Sequence, residues 1–227
     1  MQQRRIFMEI YRGGQSDIFL HKNIIGASRR KGGCPICGSS DRTRFVYYIL
    51  SEYTKIFENL NGHILHFAPE SKLYELLRNR ESYISADIEF GRADIIVDIT
   101  NMQFSDNSFD YIICNHVMEH IEKEKKAFSE IERCLRPGGT LILTVPICWE
   151  QETFENASIE TQKDRMRYYG QKDHVRLYGN DIVKRIEGFG FEVDLYRSDQ
   201  ILRNQEIKKF GYIQKDSVLL CKVKKPK

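Results

Sequence analysis

Acids recur at the ends of short apolar runs in this chain, and their positions suggest where chemistry could sit. Tyr83-Ile84-Ser85-Ala86-Asp87 and Asp94-Ile95-Ile96-Val97-Asp98 each close on a carboxylate. A third run, Phe109-Asp110-Tyr111-Ile112-Ile113-Cys114, passes into Asn115 and His116. Strand ends that share one edge of a parallel sheet face a common crevice, and ligands bind there. Asp87 lies about twenty residues past the turn closing an earlier apolar run, where a carboxylate can accept hydrogen bonds from ribose hydroxyls. The plainer role for such an aspartate is a helix cap or a surface turn. Asp98, backed by Ile99 and Thr100, would offer an adenine ring a polar contact and an apolar wall. Asn115 and His116 are small polar groups that could face the reacting end of a bound cofactor.

The elements that must position these residues start at His63-Ile64-Leu65-His66-Phe67-Ala68-Pro69-Glu70. This strand and turn lead into an amphipathic helix with Leu73, Leu76 and Leu77 on one face. Where a dinucleotide fold carries glycines, the turn has Ala68, Glu70 and Lys72. From Ile64 onward strand and helix signals alternate, the pattern of a parallel sheet covered on both faces. Residues 109–114 are apolar enough for a central strand. A helix is expected over about 118–136, burying Val117, Ile121, Phe128, Ile131 and Leu135, with residues 122–126 facing water. Pro137-Gly138-Gly139 would stop it, and residues 140–145 form the next strand. Residues 147–175 exceed the usual connection length, which suggests a lid or binding segment. A helix over 179–187 and two closing strands, 191–196 and 217–223, complete the pattern; the last two fit an antiparallel edge pair. Residues 1–60 read as an N-terminal extension and 61–227 as the main domain.

With 227 residues, 41% of them apolar, the chain can bury one core with a small appendage. Its net charge of +3 is too small to argue for nucleic acid, and no aromatic-basic stacking platform is visible. No window approaches the ~20 apolar residues of a membrane span, and the N-terminus has no signal-peptide core, so the expected compartment is the cytoplasm. Six cysteines in a chain of this length do not form a disulfide framework. Cys34-Pro35-Ile36-Cys37-Gly38 has the shape of half a zinc knuckle, but a structural zinc takes four ligands, usually as two such pairs. There is no second pair; His21, His63 or another subunit could complete one, and no metal is assigned. The sequence leaves a homodimer open.

Taken as an ordered series, several of these segments resemble the class I S-adenosylmethionine-dependent methyltransferases. They are Asp98-Ile99-Thr100, Ser108-Phe109-Asp110, His116-Val117-Met118-Glu119-His120-Ile121, Leu135-Arg136-Pro137-Gly138-Gly139 and Gly188-Phe189-Gly190-Phe191. The likeness is greatest to a subgroup with Ala-Pro-Glu in the first motif, a Cys-Pro-x-Cys-Gly segment upstream and Tyr-Gly-Gln-x-Asp-His-Val-Arg downstream. Those stand here at residues 68–70, 34–38 and 169–176.

The resemblance implies a Rossmann-like α/β fold, with a seven-stranded, mostly parallel sheet and helices on both faces. It also implies S-adenosyl-L-methionine as cofactor. Phe67, Ala68, Pro69 and Glu70 would lie beside its methionine part, Asp87 at the ribose, Asp98 and Ile99 at the adenine, and Asn115 and His116 near the sulfonium. His66 replaces the family's usual acid and Glu70 a glycine; Glu70 could bind the ammonium or block the turn. Blocking would leave a binding module that keeps the fold without catalysis. The acceptor implied is a small molecule or glycan methylated on oxygen, which benefits from a base near neutral pH. His174 and His116 are the candidate bases, and Arg176 and Tyr178 the candidate acceptor contacts.

Overall fold

The structure, a computed structural model, describes residues 8–10, 24–25 and 30–224. His21, a potential zinc ligand in the sequence, lies outside them. Strands β1 (Met8–Ile10) and β2 (Arg30–Gly33) pair antiparallel as a separate ribbon. Helix α1 (Asp41–Tyr53) begins at Ser40, whose hydroxyl accepts the Thr43 N–H as an N-cap. The main sheet follows with β3 (Ile64–Phe67), α2 (Ser71–Leu77), β4 (Tyr83–Asp87), β5 (Ile95–Ile96) and β6 (Phe109–Asn115). After it come α3 (Glu124–Cys134), β7 (Leu135–Thr144), β8 (Ile147–Cys148), α4 (Gln162–Tyr169), β9 (Tyr178–Gly179) and α5 (Ile182–Glu187). The chain closes with β10 (Phe191–Arg197), α6 (Ser198–Ile201), α7 (Asn204–Phe210) and β11 (Ser217–Val223).

Seven strands form one sheet in the order β10-β11-β7-β6-β3-β4-β5. β11 runs antiparallel to both its neighbours, and the remaining pairings are parallel. This is the Rossmann-like, mostly parallel arrangement expected from the sequence, with the closing hairpin at one edge. Chain order reverses between β3 and β6, which opens a crevice at their carboxyl ends.

Alternation along each strand feeds two cores. Leu65, Ile112, Leu141, Leu143 and Leu219 face one side with Phe128 and Ile131 of α3 and Ile182 and Ile186 of α5. Ile64, Ile113, Ile142 and Leu220 face the other, under Phe45, Val46, Ile49 and Leu50 of α1 and Leu73 and Leu77 of α2. Helix α1 therefore covers the sheet, although its residues precede the first strand.

The expected helix over 118–136 is two elements, a 3-10 turn at Met118–His120 and then α3. Ile121 is extended between them (φ −91°, ψ 109°). Glu124 does not face water as expected. It is buried, accepts the Tyr178 hydroxyl at 2.5 Å, and pairs with Arg185 at 2.6 Å. The Pro-Gly-Gly segment ends no helix, since α3 stops at Cys134. It bulges within β7, where Leu135 pairs with Phe109 and Thr140 with Tyr111. Gly138 takes φ +81°, and a Cβ on Gly139 would come within 2.9 Å of the Arg136 carbonyl. The expected helix over 179–187 begins only at Ile182, because Tyr178 and Gly179 are drawn into pairing with β8.

Candidate active-site cleft

The carboxyl ends of β3 and β4, with the residues that follow β5 and β6, border a cleft of about 560 Å³. Phe67 and Ala68 come from β3, Asp87 from β4, Asp98 and Ile99 from the turn after β5, and His116 and Val117 from the end of β6. His120 and Asp173 complete the wall. A second hollow of about 220 Å³ shares Ala68 and His116 with the cleft and adds Glu70, Asn115, Ser40, Arg42 and Thr43.

Ala68 (φ 45°) and His116 (φ 54°), the residues common to both spaces, are in the left-handed backbone region. That conformation costs a residue with a Cβ about 1–2 kcal/mol, and such strain gathers at functional positions. Both are held by the sheet: the Ala68 N–H donates to the Ala86 carbonyl, and the His116 N–H to that of Thr144.

Hydrogen bonds from the Thr100 backbone and hydroxyl hold the Asp98 carboxyl below its ordinary pKa. Glu70 does not plug the cleft. Its Oε2 lies 3.0 Å from Nε2 of the fully buried His66, whose Nδ1 meets the Tyr83 hydroxyl at 2.9 Å. Pro69 borders neither space. Asn115 is buried; its Oδ1 accepts the Thr144 hydroxyl, and its Nδ2 has no partner.

The histidines divide in a way the sequence did not suggest. His116 lines the cleft, with Nδ1 3.1 Å from Glu119 Oε1. His120 lines it too, with Nδ1 3.5 Å from Asp173 Oδ2. His174 is not on the cleft wall. It is 1% exposed and packs edge-to-face on His120, ring centroids 4.7 Å apart. Burial pulls its pKa down to about 4, helped by the neighbouring His120. Burial raises the Glu119 carboxyl to about 8.

Arg176 and Tyr178, expected at the acceptor, belong to a buried network. Arg176 donates to the Met118, Ile121 and Glu122 carbonyls and to Glu155. Tyr178 is 1% exposed and bonded to Glu124. Arg176 also edges a groove of about 660 Å³ with Lys123, Glu155 and Arg185, but no strand end borders that groove. Sequence reasoning missed Arg42, brought to the second hollow by α1. Burial lowers its pKa, while the charges of Asp216, Glu70 and Glu119 oppose that shift. No local signal marks it, whereas Glu119 and His120 were visible as neighbours of His116.

Strand order, the switch-point cleft and the closing antiparallel strands together define the class I methyltransferase fold. Residues 51–143 match the family model described as a methyltransferase domain. That match covers less than half of the chain and lies within the fold just described. Similar solved structures include the [4+2]-cyclase SpnF, with TM-score 0.54, 13% identity, and coverage of 79% of this chain and 80% of that one. Another is an SAM-dependent methyltransferase from Archaeoglobus fulgidus, with TM-score 0.51, 16% identity, and coverage of 82% and 95%. At these identities the likeness is one of fold. An uncharacterized protein of Methanocaldococcus jannaschii is 28% identical over 98 residues, 43% of this chain and 45% of that protein. The chain spans less than half the length of the first curated relatives it matches.

Proposed function

We propose that the protein is an S-adenosylmethionine-dependent methyltransferase acting on an oxygen of a small or carbohydrate-type acceptor. The observation that carries the cofactor reading is the convergence of Asp87, Asp98, Ile99 and His116 on one open cleft at the switch point. Side chains suited to binding ribose and adenine would thus be supplied from the ends of successive strands. The glycan part rests on the resemblance of the motif series alone. Two imidazoles on the cleft wall suit an alcohol acceptor, whose proton must leave as the new bond forms.

S-adenosylmethionine, when bound, supplies an electrophilic methyl group. Asp87 accepts from ribose hydroxyls, and Asp98 with Ile99 borders the adenine. In the adjoining hollow, Glu70 suits an ammonium and Arg42 a carboxylate, so one zwitterionic amino-acid end could be held between them. The unpartnered Asn115 Nδ2 is a further donor there. His116, steadied by Glu119, takes the acceptor proton; His174 would act only through His120. Much of the acceleration would come from aligning donor and acceptor.

Residues 147–175 fit a lid hinged on fixed points, since β8 pairs with β9 and Phe154 bridges Leu177. Among the described residues no helix is long and apolar enough to cross a membrane. Among the described residues no disulfide joins the cysteines, and a reducing, cytoplasmic setting suits that.

Calorimetric titration with S-adenosylmethionine and S-adenosylhomocysteine tests the cofactor reading. Saturable binding is expected, weakened about 10-fold or more in Asp87→Ala by loss of charge-assisted hydrogen bonds. Absence of binding to either compound would leave a fold without its cofactor.

A further inference from the structure

One cluster of ligating side chains offers more than the positioning roles given to it above. Glu119, His120 and His174 each present a ligand atom, and the three atoms lie within 4.8 Å of one another. Glu119 and His120 sit side by side in the 3-10 turn Met118–His120. His174 approaches from the far end of the 147–175 segment, where the Val175 N–H donates to the Glu119 carbonyl at 2.9 Å.

The cluster is buried yet incompletely bonded. Glu119 is 2% exposed, and its Oε2 has no hydrogen-bond partner. The Tyr169 backbone approaches the His174 ring, but neither ring nitrogen makes a well-aligned hydrogen bond. Each such atom costs roughly 1–3 kcal/mol when left unpaired away from water, so three together call for a shared partner. A cation between them would engage an oxygen and a nitrogen at once.

We propose that Glu119, His120 and His174 form a binding site for one divalent transition ion of the zinc type beside the cleft. Two imidazoles and a carboxylate favour Zn²⁺ over Mg²⁺ or Ca²⁺, which select oxygen ligands. Tetrahedral zinc with bonds of about 2.0–2.1 Å separates its ligands by roughly 3.4 Å, so the group needs to close by little more than an ångström. The surroundings fit a ligand set with support behind it. His116 Nδ1 contacts the other Glu119 oxygen at 3.1 Å, and Asp173 stands 3.5 Å from His120 at the rim. Arg42 and Arg176 also bear on Glu119; they oppose the ion's charge but favour the ionised carboxylate it needs. His120 and Asp173 line the cleft, so an ion held here has an entry path and an open position facing the proposed acceptor. None of this depends on the methyl-transfer reading.

The test uses full-length protein carrying Cys34→Ser and Cys37→Ser, so that the exposed thiol pair cannot supply the ion's ligands. The chelator-stripped protein is titrated with Zn²⁺ by calorimetry and with Co²⁺ by visible absorption. One equivalent is expected, and the cobalt bands should lack thiolate charge transfer. His174→Ala and the near-isosteric Glu119→Gln should each weaken uptake at least about 10-fold, with unchanged circular dichroism. No stoichiometric uptake in the Cys34→Ser, Cys37→Ser protein, or uptake indifferent to both substitutions, overturns the proposal.

Discussion

Replacing Arg176 separates a structural role from acceptor binding. Its guanidinium donates to Met118 O at 2.8 Å, Ile121 O at 2.6 Å and Glu155 Oε2 at 2.9 Å, while the side chain is 3% exposed. It thereby pins the stretch between β6 and α3 that carries Glu119 and His120. Arg176→Met keeps the aliphatic stem but removes every donor. The Met118 carbonyl keeps the Ile121 N–H at 3.2 Å, whereas the Ile121 carbonyl loses its strongest donor. Losing charge-assisted hydrogen bonds of about 1.5–3 kcal/mol each to the two carbonyls costs roughly 3–5 kcal/mol, while half-exposed Glu155 keeps Arg185 and adds little. For a protein of this size each kcal/mol lowers Tm by roughly 2–4 °C, so Arg176→Met should melt about 6–20 °C lower. Arg176→Lys should recover only part of that, because one ammonium cannot span the same carbonyls. Thermal unfolding followed by circular dichroism reads both variants. A Tm within about 2 °C of the parent for Arg176→Met would refute the buried-network account and return Arg176 to the acceptor.

Two further outcomes follow from the same coordinates. Ala68→Gly relieves a left-handed backbone worth about 1–2 kcal/mol against a glycine entropy cost of about 0.5–1. A small net gain in urea stability is expected, and a lower midpoint would contradict the strain. In metal-free protein, stability should fall between pH 7 and 8 by up to about 1.4 kcal/mol per pH unit. Folded Glu119 keeps its proton to about pH 8, whereas the unfolded chain has released it, so raising the pH favours unfolding. His174, with its pKa near 4, is neutral in the folded state, and its unfolded imidazole (about 6.5) is mostly neutral above pH 7, so it opposes the slope only slightly. Glu119→Gln should flatten the slope, and a persistent slope would assign it to another group.

The sheet was legible because its strands are short apolar runs separated by turn signals, and register follows once every second side chain has a core to enter. The acids at the strand ends could be placed on the cleft for the same reason. The 118–136 stretch was misjudged because Val117, Ile121 and Phe128 fit a helical period, while the partners that bury Glu124, Tyr178 and Arg185, come more than fifty residues later. Arg42 had no local mark, since only the docking of α1 across the sheet carries it to Glu70 and Asn115. That His120 lines the cleft while His174 stands behind it was hidden for a related reason. Which imidazole reaches the opening depends on how the 147–175 segment folds back, and residue spacing does not encode that.

Helix α1 does more than precede the domain. Its Phe45, Val46, Ile49 and Leu50 roof the sheet, and Arg44 clasps the Phe210 and Gly211 carbonyls near the opposite terminus. A fragment starting at residue 61 would bare Ile64, Ile113 and Leu220 to water and forfeit Arg42 at the hollow. In the intact chain α1 and the sheet should melt in one calorimetric peak, and deleting residues before 61 should cost solubility and ligand affinity together.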